Sequence, residues 1–151
     1  MAEQNTSNTR VLVVDDEPEV RDAYRQILLE NEVTQEMVGF RELRSRLFKK
    51  SPADAARERT AVRAGTIEPV FCDGAEAAVR LVKEGIARNE PFAVVFLDMR
   101  MPPGPDGVWA AQHIREADPA VEIVICTAYS DADPGEIGGL VPPEDKLSYL
   151  Q

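Results

Sequence analysis

Short runs of β-branched and other apolar residues alternate along this chain with segments whose apolar residues recur at helical spacing. Four runs have the composition of strands buried on both faces of a sheet, and they cover residues 11–14, 92–97, 121–126 and 147–150. A fifth run, 67–72, contains Pro69, which predicts a strand at the edge of the sheet. This alternation restricts the chain to a small number of α/β architectures.

The segments between the runs predict helices that each bury one face. Val20, Tyr24, Ile27 and Leu28 fall at positions i, i+4, i+7 and i+8 after the first run. Residues 75–86 repeat this stripe after the second run, and a third helix is predicted from residue 107 to about 118. Strands that alternate with helices predict parallel strands joined by right-handed crossovers, which is a doubly wound α/β domain.

The length of 151 residues fits one domain, and its apolar runs are too short to cross a membrane. Residues 1–10 are polar and read as a flexible tail without the apolar core of a signal peptide, so we expect a cytoplasmic protein. In that compartment Cys72 and Cys126, each at the end of an apolar run, are predicted to be buried, reduced thiols.

An insert at 31–66 is longer than a helix-to-strand connection requires. Its apolar residues are spaced as in a helix and predict a projecting arm over 31–50; they are Val33, Met37, Phe40, Leu43 and Leu47. Such a stripe needs a partner, so we expect a homodimer through this arm. Residues 41–63 carry a local charge of +5, which leaves −15 on the remainder of the chain. That negative charge argues against direct nucleic acid binding by the domain.

Polar residues follow three of the predicted strands at the point where each ends. Asp15 and Asp16 follow the first strand, Asp98 follows the strand 92–97, and Thr127 follows the strand 121–126. In a parallel sheet all these ends lie on one edge, where ligands bind. Clustered carboxylates repel one another, and Mg²⁺, which prefers oxygen ligands, would compensate for that repulsion.

A bound Mg²⁺ would also screen an incoming phosphoryl group, which would allow Asp98 to act as a nucleophile and form an acyl phosphate. Thr127 could then donate a hydrogen bond to the phosphoryl oxygens. Each residue also has a simpler interpretation: Asp15 and Asp16 could cap the first helix, and Asp98 could be an ordinary loop residue. Their joint placement at three strand ends favours the site.

Three segments carry a resemblance to a known family: VLVVDDEP, FLDMRMPPGPDG and VICTAYSD. Together they resemble the receiver domain of two-component response regulators, over residues 10–151 apart from the insert. The resemblance implies a flavodoxin-like five-stranded parallel sheet with strand order 2-1-3-4-5. It further implies a regulatory phosphoacceptor domain rather than an enzyme, which controls an output module outside this chain.

The resemblance also assigns roles to particular residues. Asp98 would receive a phosphoryl group from a histidine kinase or a phosphotransfer protein. Four groups would hold Mg²⁺: Asp15, Asp16, Asp98 and the backbone carbonyl of Arg100. Thr127 would be the switch hydroxyl, and Tyr149 would be the aromatic switch residue.

The end of the sequence departs from the family pattern. In the family the last strand leads into a Lys-Pro pair and a closing helix, whereas here the strand 147–150 is followed by Gln151. Lys146 precedes that strand and is predicted to be a solvated loop lysine. We therefore expect the 151 residues to be a truncated piece of a longer signalling protein, with the closing helix missing.

Two other functions compete with the receiver interpretation. A docking module could act through the basic helical arm without being phosphorylated. A Mg²⁺-dependent aspartyl-phosphate hydrolase would require a second carboxylate two residues after the nucleophile, and position 100 is arginine. His113, the one histidine of the chain, is predicted to be a solvated or half-buried side chain on the third helix rather than a ligand.

Overall fold

The computed structural model describes residues 8–29, 67–126 and 134–150. The predicted arm over 31–50, the remainder of the insert and Thr127 lie outside these residues. Five described strands form one parallel sheet in the order β2-β1-β3-β4-β5. The strands are β1 (Arg10–Val14), β2 (Glu68–Cys72), β3 (Val94–Asp98), β4 (Glu122–Cys126) and β5 (Leu147–Leu150). The predicted fold class and strand order are confirmed, and β2, which contains Pro69, is an edge strand.

Helices connect the strands on both faces of the sheet. They are α1 (Pro18–Leu29), α2 (Ala75–Ala87), α3 (Gly107–Ala117) and α4 (Pro134–Leu140), and a 3₁₀ turn (Glu144–Lys146) precedes β5. The first three were predicted. Helix α4 was not predicted. Its seven residues, PGEIGGL, include one proline and three glycines, and both residue types have a low helix propensity. Among the described residues, no helix combines the length and the apolar content needed to span a membrane.

The main core lies between the sheet and the helices α2 and α3. Alternate residues of the central strands point to this side and are fully buried, among them Leu12, Val95 and Ile123. Ala78 and Ala110 are also fully buried, and such small side chains allow the two helices to pack closely on the sheet and on each other. This rigid layer holds the carboxyl ends of β1 and β3 in place.

The opposite face of the sheet carries α1. None of its residues is buried: Ile27 and Leu29 are largely exposed, although the apolar stripe was predicted to face a core. The ring of Tyr24 nevertheless reaches across to Phe96 in β3, with ring centroids 5.4 Å apart. Contact between α1 and the sheet therefore depends strongly on a few side chains.

Candidate functional site

Three carboxylates meet at the carboxyl edge of the sheet. Asp15 and Asp16 follow β1, and Asp98 is the last residue of β3. The two strands are neighbours, with Val14 paired to Leu97, so the ends of both strands lie side by side. One carboxylate oxygen from each aspartate lies within 4.8 Å of the others. The predicted convergence of Asp15, Asp16 and Asp98 is therefore present in the structure.

Asp15 is held in place by its backbone and its side chain. Its amide donates to the carbonyl of Cys72 at 3.1 Å, and its Oδ1 accepts a hydrogen bond from the amide of Glu17 at 2.9 Å. Arg21, one turn into α1, donates to the carbonyl of Asp15 at 2.7 Å. Asp15 thus satisfies the backbone amide of Glu17, which precedes α1, and still presents a carboxylate to the cluster; its role as a metal ligand stays a prediction.

Asp98 lies half-buried in the cluster, and its electrostatic surroundings are unfavourable for a negative charge. Burial raises the pKa of Asp98 to about 6, with a further contribution from the charge of Asp15 and a smaller one from Asp16. The amide of Met99 donates to Asp98 Oδ1 at 2.8 Å, and this hydrogen bond lowers the pKa of Asp98. Burial also raises the pKa of Asp15. The cluster therefore stores charge repulsion that a cation would relieve.

The loop after β3 is fixed close behind Asp98. The amide of Gly107 donates to the carbonyl of Met99 at 3.0 Å, and a Cβ atom at Gly107 would overlap the carbonyl oxygen of Asp98. Asp106 then begins α3 as its N-cap, and its side chain accepts from the amide of Trp109 at 2.9 Å. This explains why a glycine follows an aspartate in the GPDG segment.

The ligands available at this edge suit Mg²⁺. In the part of the chain that the structure describes, the cluster consists of carboxylates without histidine or cysteine, and hard oxygen ligands in small number are typical of Mg²⁺ sites. Arg100 is exposed, two residues beyond Asp98 in the same loop. Its backbone carbonyl as a further ligand stays a prediction.

The two predicted switch residues have different outcomes. Tyr149 is a half-buried residue of β5, paired in register with Ile125 of β4, and it lines a shallow cavity beside α4 together with Gly138 and Glu144. Thr127 lies outside the described residues, directly after β4. The structure therefore describes one of the two residues, and their coupling stays a prediction.

Lys146 differs from its prediction as a solvated loop residue. Its Nζ donates to Oε1 of Glu122 at 2.9 Å, and about a third of the side chain is exposed. Glu122 is the first residue of β4 and Lys146 directly precedes β5, so both lie at the edge of the sheet opposite the aspartates. Lys146 therefore pairs β4 with β5 and does not belong to the acidic cluster. His113 is half-buried as predicted and stacks on Trp109, with ring centroids 4.0 Å apart.

Sequence reasoning missed the polar contacts of two residues, Arg115 and Tyr24. Arg115 is buried and donates to the carbonyls of Pro119, Val121 and Lys146. The hydroxyl of Tyr24 lies 3.1 Å from Sγ of Cys126. Tyr24 was assigned only to an apolar stripe, and no pattern in the sequence indicates a partner 102 positions away.

Comparison with known proteins supports the fold. No family model and no curated protein matches the chain. Among solved structures, the response regulator TrrA of Thermotoga maritima in complex with Mg²⁺-BeF is similar, with a TM-score of 0.57, 21% identity, and coverage of 94% of this chain and 84% of that chain. TrrA in complex with the histidine kinase ThkA gives a TM-score of 0.56 at the same identity and coverage.

The likeness extends to a protein with a different description. A structure described as an adenylate cyclase from Rhodopirellula baltica gives a TM-score of 0.60 at 19% identity, covering 95% of this chain and 75% of that chain. Most of the similar structures are described as response regulators or their receiver domains. The chain therefore has the receiver-domain fold, and the resemblance inferred from its three motifs is confirmed at that level.

Proposed function

We propose that this chain is a receiver domain of two-component signalling that accepts a phosphoryl group on Asp98. The observation that carries the proposal is the group of three carboxylates, Asp15, Asp16 and Asp98, within 4.8 Å at the carboxyl edge of a receiver-type sheet. A helix cap would require only one of these aspartates. The repulsion among three clustered carboxylates lowers stability, so stability alone does not explain the cluster. A cluster maintained against its own charge fits a site for a cation and a reacting group.

The proposed reaction is a transfer between a phosphohistidine and the Asp98 carboxylate. A carboxylate oxygen of Asp98 forms a bond to phosphorus, the phosphorus–nitrogen bond of the donor breaks, and its electron pair returns to the imidazole. Because the pKa of Asp98 is about 6, most of the carboxylate is ionised at neutral pH and able to attack. The hydrogen bond from Met99 to Oδ1 orients the carboxylate.

Mg²⁺, when bound, neutralises the negative charge of the site and of the phosphoryl oxygens. Asp15, Asp16 and Asp98 would hold it, joined by the backbone carbonyl of Arg100. The neighbouring structure of TrrA was determined with Mg²⁺-BeF, which supports a Mg²⁺-dependent site in proteins of this fold. The acidic cluster of this chain offers carboxylate oxygens, which are the ligands that Mg²⁺ prefers.

The partner of the reaction would be a histidine kinase or a phosphotransfer protein in the cytoplasm, and the complex of TrrA with ThkA supports this class of partner. A phosphoryl group adds negative charge beside the end of β4, where Thr127 follows. Thr127 and Tyr149 would then favour one arrangement of this edge, which an output module outside the chain would detect. A homodimer through the 31–50 arm is part of the same proposal.

Labelling with a small acyl phosphate in the presence of Mg²⁺, followed by mass spectrometry of the peptides, tests the proposal. We expect one phosphoryl group on Asp98, none in Asp98→Asn, and normal labelling in Asp73→Asn, which removes an exposed carboxylate at the end of β2. Stoichiometric labelling without continued turnover would exclude the hydrolase alternative. Label on another residue in both the parent protein and Asp98→Asn would contradict the assignment.

A further inference from the structure

Tyr24 contacts both strands that lead to the proposed phosphorylation site. Its ring lies against Phe96, two residues before Asp98 in β3, at a centroid distance of 5.4 Å and an interplanar angle of 43°. Its hydroxyl lies 3.1 Å from Sγ of Cys126, the last residue of β4. The side chain therefore joins α1 to β3 through apolar contact and to β4 through a polar contact.

Cys126 is the direct neighbour of Asp98 across the sheet. The two residues are paired in register, so both side chains project to the face of the sheet that carries α1. Cys126 is half-buried, and its Sγ also approaches the carbonyl of Val124 at 3.7 Å. Either the phenol or the thiol can donate the hydrogen bond between Tyr24 and Cys126, so the contact does not depend on which of the two groups is the donor.

We propose that Tyr24 is a positioning residue for phosphoryl transfer: through its hydroxyl it holds Cys126, and hence the strand pair that carries Asp98, in the geometry that the transfer requires. This inference rests on the proposed function. Helix α1 begins at Pro18, two residues after the acidic pair Asp15 and Asp16. The contact therefore fixes the helix that follows two of the carboxylates against the strand that supplies the third and the strand that leads on to Thr127.

The hydroxyl can be separated from the packing of the ring. In Tyr24→Phe the ring stays available to Phe96, while the polar contact with Cys126 is lost. Helix α1 has no buried residue, and among the described residues the contact of Arg25 with the ring of Phe71 is another that joins it to the sheet. Small displacements of reacting groups reduce rates strongly, whereas the proposed Mg²⁺ ligands all keep their carboxylate oxygens in this variant.

The experiment measures the labelling rate constant of Asp98 by a small acyl phosphate at saturating Mg²⁺ in the full 151-residue chain. We expect Tyr24→Phe and Cys126→Ala each to lower the rate constant about fivefold, with Mg²⁺ affinity changed less than about twofold. The double variant is expected to be no slower than either single variant, because both changes remove one contact. Cys126→Ser supplies a hydroxyl partner and should restore most of the rate, and Ser148→Ala, on neighbouring β5, is the control.

Four results would overturn the inference: an unchanged rate in Tyr24→Phe, multiplied losses in the double variant, no rescue by Cys126→Ser, or a Mg²⁺ affinity that falls with the rate. Urea unfolding of the metal-free variants gives a second measurement, in which the same two residues should show a coupled loss of stability. An unlabelled parent protein would contradict the proposed function itself. A labelled parent protein with unaffected variants would contradict only the role of Tyr24.

Discussion

Gly107 lies so close to the backbone carbonyl oxygen of Asp98 that the smallest side chain would overlap it. The start of α3 and the end of β3 are therefore in direct contact behind the acidic cluster. The amide of Gly107, which donates to the carbonyl of Met99 at 3.0 Å, fixes the same approach through the backbone. Any side chain at Gly107 therefore meets the backbone of the residue on which the proposed function depends.

We expect Gly107→Ala to reduce both stability and labelling. The added methyl group must displace the backbone of Asp98 or the start of α3, and such overpacking costs about 1–3 kcal/mol. Urea unfolding would measure the loss of stability, and the labelling rate of Asp98 at a temperature well below unfolding would measure the displacement.

Gly139→Ala is the matched control, because a Cβ atom at Gly139 meets nothing within 4 Å. This residue lies inside α4, where alanine is the better helix former, so stability should be unchanged or slightly higher. Equal stabilities of Gly107→Ala and the parent protein would show that the loop can move without cost.

The acidic cluster also predicts the dependence of stability on pH in the metal-free protein. The pKa of Asp98 rises from an ordinary value of 3.8 to about 6 on folding, chiefly because the carboxyl group is buried. Between these values the folded state binds more protons than the unfolded state. The stabilising contribution of protonated Asp98 is therefore complete below about pH 4 and is lost as the pH rises through about 6.

Asp98→Asn removes this titration and the repulsion with Asp15. We expect the variant to be more stable than the parent protein at pH 7 without metal, and the difference to shrink as the pH falls towards 5. Glu116→Gln, an exposed change of the same net charge, should show no such trend. Thermal unfolding at several pH values would measure the difference, and a constant offset between the two proteins would contradict the prediction.

Much of the architecture follows from the local sequence. The β-branched runs locate all five strands, because strands buried in a parallel sheet need apolar residues on both faces. The bounds differ by one or two residues: Phe92 is 2% exposed but precedes β3, since burial alone does not make a residue part of the hydrogen-bonded ladder. The strand order came from the family resemblance, because hydrophobic periodicity does not specify which strands are neighbours.

The acidic residues of the candidate site could be predicted from the sequence, whereas the residues that support the site could not. Asp15, Asp16 and Asp98 lie at or directly after the carboxyl ends of strands, so the geometry of a parallel sheet brings them together whatever the details of packing. Tyr24 and Arg115 act through partners that are distant in sequence or are backbone carbonyls. Side-chain identity carries no signal for such partners, and only the folded arrangement reveals them.

Removal of one metal ligand should separate Mg²⁺ binding from folding. We expect Asp16→Ala to lower Mg²⁺ affinity by about tenfold or more, since a small cluster of carboxylates loses one of its three charges. Stability without metal should not fall, because the change relieves repulsion and removes no core contact. Calorimetric titration with Mg²⁺ would measure the affinity directly.

Thermal unfolding provides an independent readout of the same site. A ligand that binds the folded state adds about 2.7 kcal/mol of stability at a hundredfold excess over its Kd, so Mg²⁺ should raise the Tm of the parent protein. The rise should be lost in Asp16→Ala and kept in Asp73→Ala, which removes a carboxylate at the end of β2 outside the cluster. A similar rise in all three proteins would place Mg²⁺ elsewhere.

Arg115 provides a test of what holds the opposite edge of the sheet. Arg115 is 7% exposed, and its guanidinium donates to the carbonyls of Pro119, Val121 and Lys146, at 3.2, 2.5 and 2.9 Å. It thereby links the end of α3 to the residues that precede β4 and β5. Loss of the side chain removes the charged donor of all three carbonyls. The carbonyl of Val121 lies in a buried place, where an unsatisfied group costs about 1–3 kcal/mol, and the contacts with Pro119 and Lys146 are partly buried.

We therefore expect Arg115→Ala to lower the free energy of unfolding by about 3 kcal/mol, measured by urea titration. Arg115→Lys should recover only part of the loss, because one ammonium group cannot reproduce the planar fork that reaches carbonyls on both sides. Arg88→Ala, at the exposed end of α2, should change stability by less than about 0.5 kcal/mol. If Arg115→Lys matched the parent protein, positive charge rather than fork geometry would stabilise this edge of the sheet.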